Sequence, residues 1–309
     1  MIRAAPSVQR FAAVGALLAR VVFNAFFTPH FATAGNLWNV LLQVSPVVLT
    51  AVGMTFVIAT RGVDLSVGST MAVAAAIAAV LIDRGVMVAV VAALAGATTI
   101  GALNGTLIAT LRVQPIVIPL ATLIAGRGLA QIISRNGELI TIGDASLLSI
   151  GRGHIGVIPL PVVIAACAVI VAILILRLTP FGRYVLAVGG NPVAARLAGV
   201  PVRATIVKVY VASAFLAAVA GVVVAARLGA SDAAKIGQNM ELDAIAAVVV
   251  GGTALSGGRA TIAGTLVGAL IMQVIATSFN MLLVPYALSL ALKAAIILVA
   301  VYLQRPPRA

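Results

Sequence analysis

Ten stretches of helical length, almost free of charge, follow one another along this chain, at about 11–27, 40–60, 65–82, 86–110, 114–133, 160–178, 207–226, 242–254, 260–283 and 286–303. A helix needs about 20 apolar residues to cross a hydrocarbon core, and within that core only helices and closed barrels satisfy their own backbone. Runs this long and this often repeated predict helices. Composition agrees: 62% of the 309 residues are hydrophobic and 9% charged, against about 45–50% apolar and about 25% charged in soluble domains. A soluble globular fold is therefore excluded. Ten spans consume about 200 positions, which leaves no room for a folded extramembrane domain. The expected fold is one domain over residues 1–309, an all-α integral membrane protein of about ten transmembrane helices with a broken or short helix near residues 242–258.

The charge is lopsided, 20 Lys plus Arg against 7 Asp plus Glu, for a net charge of +13. These basic residues stand singly between apolar runs rather than on one solvated face, so they argue against nucleic acid and read as topology signals. Arg177, Arg183, Arg196, Arg203 and Lys208 gather with no acid between them, which predicts a cytoplasmic loop. Residues 134–159 balance Arg135 and Arg152 against Glu138 and Asp144, and residues 227–243 set Arg227 and Lys235 against Asp232, Glu241 and Asp243, so both suit the outer side. Alternation through ten spans places both termini in the cytoplasm, with Arg3 and Arg10 at one end and Arg305 and Arg308 at the other. Arg3, Arg10 and Ala32-Thr33-Ala34 have the outline of a secretory signal, but Arg20 and Asn24 interrupt its apolar part, and the first run is read as a span. Cys167, the single cysteine, lies inside a run and permits no intrachain disulfide.

The eighth run is too short. Its thirteen residues, Leu242 to Ala254, make about 20 Å of helix against a core of about 30 Å. It leads into Gly251-Gly252-Thr253-Ala254-Leu255-Ser256-Gly257-Gly258, which reads either as irregular backbone at membrane depth or as a tight cytoplasmic turn. Gly62 to Gly68 and Gly252 to Gly258 share G-x-x-L-S-x-G, too weak an echo in so glycine-rich a chain to establish a repeat.

Several chemistries find no support. The three lysines, Lys208, Lys235 and Lys293, follow Val, Ala and Leu, so the chain has no phosphate-binding Gly-Lys-Ser/Thr and is not expected to hydrolyse ATP. Gly151, Gly153 and Gly156 spell G-x-G-x-x-G without the strand and helix that a dinucleotide site requires. His30 and His154 fall in separate loops, which argues against a metal centre, acid–base catalysis or any cofactor. Arg20, Asp64 and Lys293 are the ionisable candidates for an ion-coupled pathway, and Asp64, ahead of an apolar run, reads first as a helix cap accepting the Ser66 or Val67 N–H. The polar candidates for a translocation path are Thr55, Asp64, Ser66, Asn104 and Ser256, each also able to serve as helix-to-helix glue. Gly101 with Gly105 and Gly264 with Gly268 allow close helix approach.

The long basic segment, residues 179–206, carries the most specific pattern. Asn191 suits an N-cap, Pro192 a first helical position and Gly199 a C-terminal stop, so residues 192–198 are expected to form about two turns with Ala194, Ala195 and Ala198 on a small-residue face. So short a helix needs a docking partner; anionic lipid is the plain alternative. Here the chain resembles the permease subunits of ribose-type ABC importers, the sugar branch of the ribose and branched-chain amino-acid permease superfamily. The resemblance rests on Gly53-Met54-Thr55-Phe56-Val57-Ile58 with Gly62-Val63-Asp64-Leu65-Ser66-Val67-Gly68; on Phe181-Gly182-Arg183, Gly189-Gly190-Asn191 and Ala194-Ala195-Arg196-Leu197-Ala198-Gly199; and on Glu241-Leu242-Asp243-Ala244-Ile245 running into Gly251-Gly252 and Leu255-Ser256-Gly257-Gly258. It is stronger toward permeases for pentoses, hexoses and galactofuranose than toward those for amino acids. It implies a bacterial inner-membrane complex with a second permease subunit, ABC ATPase subunits and an external sugar-binding protein. It also implies that Phe181, Gly182, Arg183, Asn191, Pro192, Ala194, Ala195, Arg196 and Gly199 form the coupling segment on the ATPase. The family often carries an acid where this chain has Pro192 or Val193, so a salt bridge made by that acid is missing here. An ion-coupled secondary transporter of a small polar solute and an ABC permease for an amino acid are the competing functions.

Overall fold

A computed structural model describes residues 6–111 and 113–303. It is nearly all helix, in the order α1 (Pro6–Phe27), α2 (Ala34–Ala59), α3 (Val67–Leu81), a 3₁₀ turn (Ile82–Arg84), α4 (Val86–Leu111), α5 (Val117–Ile133), α6 (Ala145–Arg152), α7 (Leu160–Leu178), α8 (Pro180–Gly190), α9 (Pro192–Leu197), α10 (Val202–Leu228), α11 (Met240–Val250), α12 (Ile262–Met281) and α13 (Tyr286–Leu303). Each of the ten apolar runs is a helix. Among the described residues, six are long and apolar enough to cross a membrane: α2, α3 with its 3₁₀ turn, α4, α7, α10 and α12. Arg3, Arg305 and Arg308 lie outside the described residues.

The helices sort by burial. In their most apolar stretches α2 and α10 are 83% and 72% buried, while α4 and α7 are 28% and 22% buried and turn Leu, Ile and Val outward. An apolar outer surface of this kind is what lipid requires. α3, a run mainly of Ala and Val, packs against α4, α5 and α10. With few large side chains to interdigitate, the core closes through small residues. Both glycine pairs are such closures: β-carbons at Gly101 and Gly105 would press on Tyr210 and Val207 of α10, and at Gly264 and Gly268 on Gly251 and Ala247 of α11.

Two helices begin in the middle of the bundle. The Asp64 carboxylate, three residues before α3, bonds Ser213 near the midpoint of α10, so α3 starts halfway along its neighbours. From the far end of α10 the chain folds back, and Gly237 meets Gly68 so closely that a β-carbon on either would collide with the other's carbonyl. α11 starts three residues later. The short helix expected near 242–258 is therefore present as Met240–Val250, and irregular backbone flanks it on both sides, in residues 232–239 and 251–261. Residues 251–258, the segment for which two readings stood, are a run of non-helical turns between α11 and α12: Thr261 donates from its hydroxyl to the Gly251 carbonyl (2.9 Å), and Gly258 N–H to the Ala59 carbonyl (2.9 Å).

The fold-back is fastened at the α6 end. Ile140–Thr141 pairs antiparallel with Ala230–Ser231, and Arg127 of α5 donates to the Ala233 (3.0 Å) and Ile236 (2.6 Å) carbonyls. α6, which no apolar run announces, is capped by Asp144 accepting the Leu147 N–H (2.9 Å).

Candidate functional site

The segment from Thr179 to Gly199 folds as two short helices at the end opposite α6. Thr179 accepts the Gly182 N–H (3.3 Å) and Pro180 occupies the first helical position, which starts α8, a helix the sequence reading did not anticipate. Asn191 then accepts from both Val193 N–H and Ala194 N–H, each at 3.0 Å, as its N-cap role requires. The helix ends at Leu197, with Ala198 as its cap and Gly199 left-handed at φ +79°. Glycine takes that conformation without a β-carbon penalty.

The expected coupling residues divide by direction. Arg183, Asn191, Ala194, Arg196 and Gly199 are exposed, while Pro192 is half-buried. Ala195 is not on the outer face: it is buried with Val188 and Val202, so the helix rests on its own loop. The small-residue docking face of Ala194, Ala195 and Ala198 is corrected accordingly, since neighbours on a helix cannot all face one way. Gly182 is buried against the α7 carbonyls of Ile175 and Leu176, and Phe181 lies beside Phe56 of α2, ring centroids 6.3 Å apart. These two anchor α8 to the bundle. The side chains held out are Val193, 67% exposed, and Leu197, 86% exposed, together with Arg196. Sequence reading missed both because a six-residue helix has too few turns to reveal its inward face.

Three of the five path candidates meet. Asp64 Oδ1 accepts from Ser66 N–H (3.1 Å) and Ser66 Oγ (2.6 Å), and Oδ2 from Ser213 Oγ (2.8 Å). Asn104 Nδ2 donates to Ser66 Oγ (3.0 Å), and Thr122 Oγ1 to Asn104 Oδ1 (2.6 Å). One chain of bonds thus joins α5, α4, the start of α3 and α10, with Asp64 1% exposed. The position just before α3 belongs to Ser66 rather than Asp64, but the carboxylate takes the Ser66 N–H as anticipated. Thr55 lies elsewhere, sharing a hydrogen bond with Thr265 of α12 (2.8 Å), and Ser256 is exposed in the 251–258 turn. Neither joins the network.

A cavity of about 400 Å³ opens at the α6 end beneath the fold-back, its wall mostly apolar, with Pro46, Met71 and Val224 among its residues, and its polar groups supplied by Gln43, Arg227, Asp232, Lys235 and Gln238. None of the five path candidates lines it. Its charges come from the balanced loop at residues 227–243, whose recruitment between the helices no local pattern records.

A polar network inside an apolar bundle, a cavity at one end and a short capped helix at the other suit a transport subunit. The model of the branched-chain amino acid transport system / permease component family matches residues 36–301. The chain belongs to that family. Among its relatives, the ribose import permease protein of Haemophilus influenzae is 40% identical over 93% of this chain and 90% of its own. The galactofuranose transporter permease protein of Escherichia coli is 38% identical over 94% of this chain and 87% of its own. The L-arabinose ABC transporter permease protein of Azospirillum brasilense is 36% identical over 88% and 80%. No solved structure matches the chain. As in other permeases of the family, ATP hydrolysis is the work of a separate subunit.

Proposed function

We propose that the chain is the membrane permease subunit of an ATP-binding-cassette importer for a monosaccharide. The observation that carries this reading is identity of 40% to a ribose permease across nine-tenths of both chains, on a bundle that holds out a short capped helix from its basic end. The complex comprises two permease subunits, two ATPase subunits that receive α9, and an external sugar-binding protein that delivers to the α6 end. The nine longer helices and the short α11 lie in the bacterial inner membrane, α11 crossing only with its fold-back, and both termini are cytoplasmic. Charge supports this orientation: the loop bearing α8 and α9 is purely basic, while the α6 and fold-back loops mix Asp and Glu with Arg and Lys. Sugar arrives in the cavity beneath the fold-back and leaves past the Asp64, Ser66 and Asn104 network, toward the end where Ser256 is exposed.

The test is reconstitution. Tagged permease, expressed with candidate ATPase and binding-protein partners, is expected to retain the ATPase on affinity purification and, in proteoliposomes, to take up sugar only with ATP and the loaded binding protein. A sugar panel on the binding protein names the substrate. Accumulation by the purified chain alone under a proton or sodium gradient would instead establish a secondary transporter, and amino-acid uptake a different branch of the family.

A further inference from the structure

We propose that Arg61 is the residue that passes movement of the α8–α9 loop into the middle of the bundle. This rests on the reading of α9 as the ATPase-contacting helix. α8 ends at Gly190, and the last carbonyls of a helix have no partner within it. Arg61 supplies one for two of them, Nε donating to the Gly189 carbonyl (2.6 Å) and Nη2 to the Gly190 carbonyl. A planar fork with fixed donors suits two adjacent carbonyls, and its positive charge suits the negative end of a helix dipole. The grip is held at a cost, since Arg61 is left-handed at φ +66°, a region non-glycine residues avoid.

The joint around it has little slack. A β-carbon at Gly189 would collide with the Ala59 carbonyl oxygen, and that same oxygen accepts the Gly258 N–H at 2.9 Å. Gly257 and Gly258 in turn lie against Gly189 and Gly190. Three backbone segments meet here, the end of α2, the end of α8 and the α11–α12 turn, and the side chain lying between them is that of Arg61 itself, whose Cγ a β-carbon at Gly257 would strike. On one side of the joint the next residue, Asn191, caps α9. On the other side Asp64 follows Arg61 by three residues and is bonded to Ser213 of α10 and, through Ser66 and Asn104, to α4 and α5. Displacing α9 therefore pulls on Arg61, and Arg61 pulls on the connection that fixes where α3 begins. The Phe181–Phe56 contact is a second link between α8 and α2, but two rings slide past each other more easily than a forked pair of hydrogen bonds breaks.

The experiment compares the reconstituted complex carrying wild-type permease, Arg61→Ala and Arg61→Lys. Four quantities are read: ATPase retained by tagged permease, basal ATP hydrolysis, its stimulation by sugar-loaded binding protein, and uptake. Arg61→Ala is expected to keep ATPase association and basal hydrolysis near wild type while stimulation and uptake fall by about tenfold or more, as loss of two charge-assisted bonds from a coupling path implies. Arg61→Lys, whose ammonium reaches one carbonyl well, is expected to fall between. Wild-type stimulation and uptake in Arg61→Ala overturn the proposal. So does loss of the ATPase in the pull-down, which would make Arg61 part of the docking surface. If Arg61→Ala does not accumulate in the membrane, Arg61→Lys decides: intermediate stimulation supports transmission, and full stimulation refutes it. Failure of the permease assignment is seen separately, as wild-type chain that retains no ATPase and shows no ATP-dependent uptake.

Discussion

Asp64 shows what a single carboxylate does in an apolar bundle. Buried polar groups are costly unless bonded, and its two oxygens accept three hydrogen bonds from Ser66 and Ser213. Asparagine keeps one acceptor oxygen and offers an amide that Ser213 accepts once its hydroxyl turns, so Asp64→Asn is expected to assemble and to transport. Asp64→Leu strands the Ser66 N–H and two hydroxyls, at about 1–3 kcal/mol for each buried group left unbonded, and is expected to lower the melting temperature and yield of purified permease. Both quantities, with uptake, check the pair of variants. Normal assembly of Asp64→Asn with abolished uptake would assign the charge itself a role in transport. The bond to Ser66 was legible because it is local. The bond to Ser213, 149 residues away, was not, since nothing along the chain says that the one serine of α10 will stand at the height of Asp64.

At the level of the element, α9 is a helix that leans on its own loop. Ala195 fills the space between Val188 and Val202, so Ala195→Trp overpacks the loop from within. It is expected to impair both loop folding, seen as faster proteolysis at residues 179–199, and ATPase retention. Leu197→Asp changes only the outward face, 86% exposed, and is expected to spare the loop while weakening ATPase association severalfold in a pull-down, which is the cleaner test of docking. The caps of this element were readable from Asn191, Pro192 and Gly199, because capping is chemistry within four residues. The nine longer helices and the short α11 were readable for the same local reason, a sustained apolar run. α8 escaped notice because Arg183 and the glycines interrupt its apolar residues, and α6 because eight residues in a polar loop carry no periodic signal. The fold-back escaped because residues 232–239 have the composition of any polar loop; only tertiary contact draws it inward.

For the whole molecule, the test is topology. Reporter fusions at Asp144 and Asp232 are expected to report the outer side, and fusions near Arg196 the cytoplasm; a cytoplasmic signal at Asp144 would invert the bundle and exchange the roles given to its two ends. The meeting of Gly68 with Gly237 also bears on how such a chain is free to change over generations. What obstructs a side chain at either position is the partner's backbone carbonyl, which no substitution can trim. A mutation at one glycine therefore has no compensating mutation at the other, unlike a large-for-small exchange between packed side chains. Descendants of this sequence are expected to hold both glycines together, or to lose both only when the fold-back itself is rebuilt, so the two positions drift as one unit although 169 positions, 237 less 68, separate them.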